Sequence, residues 1–368
     1  MSGPASIPFI DLHPGEDDQV VREAIDRVIR RGWFVLGPEV EHFEAAFAAA
    51  CGGPFAIGVG SGTDAISLSL RALGIGQGDE VIVPAMTAAF TALAVIAAGA
   101  RPVFADVDAG TLTLDPAACA AAVTSRTRAL VPVHLYGQPC DMERLRRVAE
   151  RHNLAIVEDC CQAHGATEKG VAIGSRANAA AFSFYPTKNL GGIGDGGAVI
   201  TADASIAERI RRLRNGGQSG RYEHIEAGVN SRLDELQAAV LRARLPFLAD
   251  WTARRRALAA TYRRELPTWV KTVDERDPGH VYHLFPVRVP DRDRLRARLT
   301  SREIETLIHY PVAVPRQPAF ANMGPADCPV AEAAASELVS LPLYPRLAVH
   351  DAARVAHEIE GFQKGRQA

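Results

Sequence analysis

Residues 155–165 read AIVEDCCQAHG. The apolar run Ala155–Glu158 passes straight into Asp159 and a polar turn, as a strand buried on both faces does when it delivers a carboxylate to its carboxyl end. In open α/β sheets ligands sit beyond those ends, so Asp159 stands where a site is expected. A carboxylate there either holds a proton on a ring nitrogen, the partner that a pyridoxal cofactor needs as an electron sink, or simply caps the next helix. The segment alone leaves both readings open.

Outward from it, about residues 55 to 201, short apolar runs alternate with helical patterns. The strands expected are Phe55–Val59, Glu80–Val83, Pro102–Ala105, Ala129–Val133, Ala155–Glu158, Ala180–Phe184 and Ala198–Thr201. That alternation predicts an α/β fold with a mostly parallel sheet flanked by helices. A helix over Thr63–Leu73, capped by Ser61 or Thr63 and closed by Gly74, follows the first strand. Val20, Val21, Ala24, Ile25, Val28 and Ile29 predict an N-terminal surface helix ended by Arg31-Gly32. Helices over Leu233–Leu248 and Trp251–Leu266 meet near Asp250, which divides the chain into a large domain (1–250) and a small C-terminal α+β domain (251–368). The small domain reads strand (Val281–Val289), helix (Asp291–Leu299), strand (Glu303–Ile308) and two closing helices.

At 368 residues, with 47% apolar and 23% charged residues, the chain has the make-up of an ordinary globular protein of two domains. A net charge of −2 gives no footprint for nucleic acid. Six cysteines without Cys-x-x-Cys spacing predict reduced thiols and a cytoplasmic setting. MSGPASIPFIDL lacks a basic, then apolar, leader, and no run is long and apolar enough for a membrane span.

Two more stretches carry chemistry. In FSFYPTKNLGGIGDGG, residues 182–197, Lys188 follows a strand and precedes five glycines within seven residues. Desolvation lowers a lysine pKa toward the neutral amine that attacks an aldehyde, whereas a lone lysine is ordinarily a solvated charge. Gly192-x-Gly194-x-x-Gly197 matches a dinucleotide fingerprint in form only, because it precedes a strand rather than following one. GVGSGTD, residues 58–64, does follow a strand and opens a helix, where free N–H groups cradle a phosphate or merely make a tight turn. Hydrolase elbows, zincin pairs and P-loops are missing, and His134, His164, His283 and His309 lack metal-ligand spacing, so no metal is expected.

With GSGTDA (60–65), GDEVIVPAMT (78–87), PVHLYGQPCDM (132–142), VEDCCQAHGA (157–166), FSFYPTKNLGGIGDGGAVIT (182–201), GVNSRLDELQAAVL (228–241), IHYP (308–311) and VSLPLYP (339–345), the chain resembles the DegT/DnrJ/StrS sugar aminotransferases, pyridoxal-phosphate enzymes of fold type I. The resemblance implies that Lys188 holds pyridoxal 5'-phosphate covalently and that Asp159 faces the pyridine nitrogen. It puts Gln162 near the phenolic oxygen and Gly62, Thr63 and Ser183 at the phosphate. Asn230 matches a residue that reaches the phosphate from the neighbouring subunit, implying a homodimer with shared active sites. Tyr185, His309 and Tyr310 match positions near a sugar nucleotide. Where the family usually has an aromatic residue stacked on the ring, this chain has Ala88, with Phe90 two residues on.

The activity implied is transamination of a nucleotide-linked keto-sugar, 3-keto or 4-keto on dTDP, UDP or GDP, with L-glutamate as donor and pyridoxamine phosphate as the intermediate cofactor form. Three alternatives stand beside it: a cyclitol aminotransferase, an aminohydroxybenzoate-synthase-like dehydratase, and a regulatory protein that kept the fold without turnover. Sugar-deoxygenating relatives carry a histidine at the position of Lys188, so the lysine argues against that chemistry.

Overall fold

A computed structural model describes residues 6–324 and 326–364; the opening MSGPA, part of the stretch read as lacking a leader, lies outside them. The central sheet is built from β1 (Phe55–Val59), β2 (Glu80–Pro84), β3 (Arg101–Ala105), β4 (Thr127–Leu130) and β5 (Ala155–Asp159). After a short ladder, β6 (Thr167–Glu168) with β7 (Val171–Ala172), it is completed by β8 (Ala179–Ser183) and β9 (Gly197–Thr201). The order is β1-β9-β8-β5-β4-β2-β3. All pairs are parallel except those of β9, antiparallel to both β1 and β8. The sheet is thus mostly parallel and mixed, as expected.

Both faces of the sheet are apolar, which is why its strands read as continuous hydrophobic runs. Ile57, Val59, Val81, Val157 and Val199 join one core with α3 (Gly62–Ala72), α4 (Phe90–Ala97) and α7 (Ala204–Leu213). The alternate residues Ala56, Ala180, Ala198 and Ile200 face Phe43 and Phe47 of α2 (Pro38–Ala50). Phe47 meets Phe182 and Phe184 edge-on at 5.1 and 5.2 Å, a favoured aromatic geometry. The N-terminal helix α1 (Asp18–Arg31) packs Ala24 and Val28 on α8 (Glu235–Arg244). The Glu235 carboxylate accepts from the backbone N–H groups of Gly37, Glu39 and Val40 at 2.8–3.0 Å, capping α2 from another helix.

Pro246 lies in a 3-10 turn, Leu245–Phe247, that joins α8 to α9 (Leu248–Glu265). The C-terminal part has a three-stranded antiparallel sheet of residues 271–272, Phe285–Arg288 and Leu338–Leu341. Its core includes Leu258, Tyr262, Val287, Leu341 and Val355, and Tyr262 donates to the carbonyl of Pro342 at 2.8 Å.

Four elements differ from the sequence reading. The two helices expected to meet near Asp250 meet at the turn Leu245–Phe247, around Pro246, which leaves Asp250 inside α9. The strand expected over 281–289 begins only at Phe285, because Tyr282 takes φ 47° and turns the backbone. Residues 303–308 form isolated bridges, Ile304 to Ile7 and Leu307 to Ser340, and not a strand. The third strand is Leu338–Leu341, inside the region expected to be only helical.

Candidate active site

The carboxyl ends of β5 and β8 and the start of β9 meet the N-terminus of α3 at one edge of the sheet. Their backbones come so close that a Cβ on Gly197 would lie 2.4 Å from the Ser61 carbonyl carbon. One on Gly62 would lie 2.7 Å from both Cys161 Sγ and Ser183 Cβ. Only glycine permits this approach. It sets the first turn of α3, with Thr63 beside Gly62, next to Ser183, and the free N–H groups of such a turn suit a phosphate. Ser61 caps the helix by accepting from Asp64 N at 3.1 Å.

Asp159 is buried at the end of β5. Its Oδ1 accepts from the Cys161 N–H at 3.1 Å and its Oδ2 from the Thr91 hydroxyl at 2.8 Å. Thr91 lies 3.1 Å from the Thr87 hydroxyl, so a buried pair of hydroxyls holds one face of the carboxylate. The cap reading thus survives only in the bond to Cys161, since no helix follows β5 directly. Gln162 Oε1 accepts from Tyr136 N at 2.7 Å, and its Nε2 donates to the Tyr310 hydroxyl at 3.0 Å.

Lys188 sits in the turn after β8, its N–H donating to the Tyr185 carbonyl at 2.8 Å. It keeps part of its surface because it lines a cavity of about 310 Å³. Burial pulls its amine pKa below the ordinary lysine value, against the opposing effects of Cys161 and Asp159. Three imidazoles feel the same lysine. Burial first and then the Lys188 charge lower His164 to about 3, His309 to about 4, and His283 well below its usual value. All three are neutral at physiological pH. His309 is fixed by Ser340 Oγ at 3.0 Å from Nδ1 and by stacking on Phe9; His283 Nδ1 lies 3.2 Å from Asn189 Oδ1.

The structure therefore brings together Asp159, Gln162, Ser183, Gly62, Thr63 and Lys188 from separate segments, with His309 and Tyr310 alongside. Tyr185 is 52% exposed at the rim. Asn230 is exposed, and its neighbour Ser231 accepts from Gly60 N at 2.9 Å, which places the Asn230 loop against the phosphate-type turn of the same chain. Ala88 is half-buried, and Phe90 is 64% exposed at the start of α4. These residues suit pyridoxal phosphate: a cradle that a Cβ would fill, a fixed carboxylate and an amine with a lowered pKa.

The sequence reading missed Thr91 and Arg255. The signal for Thr91 was its spacing of four from Thr87. Among the described residues one group has metal-ligand proximity, His134, Glu158 and Cys160. His134 Nδ1 accepts from Cys140 N at 3.1 Å and its Nε2 faces Glu158 at 2.9 Å, which also accepts from Gly174 N, so these donors already bind one another.

The geometry predicts the chemistry of the free amine. In the cofactor-free protein, labelling of Lys188 by an amine reagent, resolved by mass spectrometry from Lys169, Lys271 and Lys364, will show a midpoint below that of an ordinary lysine. Asp159→Asn will lower it further, because the carboxylate raises that pKa. A midpoint at or above the ordinary value would contradict this account of Lys188.

The family model described as the DegT/DnrJ/EryC1/StrS aminotransferase family matches residues 16–360. The chain is 51% identical to the dTDP-3-amino-3,4,6-trideoxy-alpha-D-glucose transaminase of Streptomyces venezuelae, over 95% of this chain and 94% of that protein. It is also 51% identical to the erythromycin biosynthesis sensory transduction protein EryC1 of Saccharopolyspora erythraea, over 93% of this chain and 95% of that one. The crystal structure of S. venezuelae DesV in complex with a ketimine intermediate superposes with a TM-score of 0.95 at 49% identity, covering 98% of this chain and 99% of that one. The chain belongs to the DegT/DnrJ/EryC1/StrS aminotransferase family.

Proposed function

We propose that this aminotransferase moves the amino group of L-glutamate to the carbonyl carbon of a keto-sugar carried on a nucleoside diphosphate, giving an amino sugar and 2-oxoglutarate. The observation that carries the reading is the meeting of Lys188, Asp159 and Gln162 beside the α3 turn, in a family whose 51% identical relative is named a nucleotide-sugar transaminase. Pyridoxal phosphate, when bound, supplies an aldehyde and an electron-withdrawing ring.

The chain's own residues do the rest. Gly62, Thr63 and Ser183 hold the phosphate. Asp159, fixed by Thr91 and the Cys161 N–H, keeps a proton on the ring nitrogen. Gln162, held by Tyr136 and Tyr310, would face the cofactor's phenolic oxygen. Lys188 would hold the cofactor, and its amine, its pKa pulled below the ordinary lysine value by burial, would serve as the base for the donor's α-proton. The second half of the cycle runs the same proton transfers backward, onto the keto-sugar. Tyr185, His309 and Tyr310 border the space for it. With Ala88 where relatives have a stacked aromatic, that face of the ring would be left open to substrate.

The protein works as a homodimer. Trp33, Phe34 and Val35 are 54%, 50% and 40% exposed, and Ile193, Ile225 and Val229 are also exposed. Two of these segments meet the start of α8: Val35 bridges Asp234, and Ile193 N donates to Gln237. Exposed apolar side chains of this kind suit a partner surface, and Asn230, next to Val229, would reach the partner's phosphate.

One relative is named a sensory transduction protein, so turnover must be tested directly. With isotope-labelled L-glutamate and a panel of 3-keto and 4-keto nucleotide sugars, mass spectrometry will find labelled amino sugar for one of them. Lys188→Ala will abolish it while leaving the protein folded. Full turnover in that variant would remove Lys188 from the mechanism. For the shared site, co-expressed Lys188→Ala and Asn230→Asp chains, each inactive alone, will recover about a quarter of wild-type activity, because the mixed dimer holds one intact site. No recovery from mixed dimers would place Asn230 at its own subunit's site.

A further inference from the structure

The cavity beside Lys188 is lined by three arginines, Arg244, Arg255 and Arg346. Two are neutralised by the N-terminal segment that crosses the cavity: Arg346 pairs with Asp11 at 2.9 Å and Arg244 with Asp17 at 2.7 Å. Arg255 is different. It is 3% exposed, yet among the described residues no carboxylate pairs with it. Its Nη1 donates to the carbonyls of Leu343, Tyr282 and His283 at 2.8, 3.3 and 3.3 Å, while Nε has no partner. Burial lowers its guanidinium to about 10, so it stays charged at neutral pH. A buried cation met only by carbonyl dipoles is costly, and breaking off its counter-ion is costlier still. A ligand carrying a negative charge would meet that cost.

We propose that Arg255 is the anion-binding residue of this cavity and takes a carboxylate of the amino donor, an inference that rests on the aminotransferase reading above. Position supports the donor. His283 lies between the two cations: its carbonyl accepts from Arg255, its ring faces Asn189 next to Lys188, and both Lys188 and Arg255 depress its protonation. An amino acid whose amine meets the cofactor at Lys188 has its own carboxylates within a side chain's length of that point. The planar guanidinium fork matches a carboxylate. At about 310 Å³ the cavity is at the small end for ligand pockets and suits an amino acid better than a whole nucleotide sugar.

The test is calorimetric binding of glutarate, which has the donor's two carboxylates and no amine, to the protein carrying pyridoxal phosphate. Thymidine diphosphate is titrated alongside. Arg255→Gln will weaken glutarate about 10- to 100-fold, Arg255→Lys will weaken it less, and thymidine diphosphate binding will be unchanged in both. Because Arg255 also ties α9 to Leu343, melting curves accompany each variant; if Arg255→Gln unfolds, Arg255→Lys decides. Failure of the wild type to bind glutarate, wild-type affinity in a folded variant, or a loss confined to thymidine diphosphate would overturn the proposal. The same samples separate the two readings. A cofactor band that no amino donor bleaches in the wild type sinks the functional reading, whereas bleaching with Arg255-independent glutarate binding sinks only this one.

Discussion

The close approach of backbone at Gly62 and Gly197 fixes everything else in the site. With no Cβ at either position, the first turn of α3 settles onto β9 and against Cys161 and Ser183. The turn that suits a phosphate, the end of β5 with its carboxylate, and the end of β8 leading to Lys188 then share one edge. A methyl group at Gly197 would drive into the Ser61 carbonyl. Neighbouring backbone cannot yield cheaply there, since the strands are buried on both faces.

On that edge the electrostatics are one-sided. Asp159 is the carboxylate fixed at its centre, held by a hydroxyl and a backbone N–H. Facing it are an amine with a lowered pKa and three imidazoles kept neutral by burial and by that amine. Neutral histidines beside a proton-transferring lysine do not compete for its proton. The His164 ring packs against Phe182 and Phe184, with centroids 5.5 and 5.8 Å away.

The large sheet was legible because its strands are short, apolar and separated by helical patterns, and the two-sided burial that makes them so leaves little room for other pairings. The smaller unit was less so. Residues 303–308 look like a strand but pair only through single bridges, Ile304 with Ile7, nearly the whole chain away, and Leu307 with Ser340. Leu338–Leu341 looks like the tail of a helix, since a four-residue apolar run carries no period. Motifs marked Lys188, Asp159 and Gln162, but not what fixes them. Arg255 was hidden in the run Arg254-Arg255-Arg256, which reads as a solvated face. Only its spacing with Thr252, Leu258, Ala259 and Tyr262, all buried on α9, sets it on the inner side.

The account stands or falls on whether this chain carries pyridoxal phosphate at Lys188 and exchanges an amino group through it. The most direct measurement is the visible absorbance of the purified protein, recorded with L-glutamate and then with keto-sugar nucleotides. The account predicts a yellow band that bleaches with glutamate and returns with one keto-sugar. A protein that stays colourless after pyridoxal phosphate is added would contradict it and turn the assignment to a binding or regulatory role.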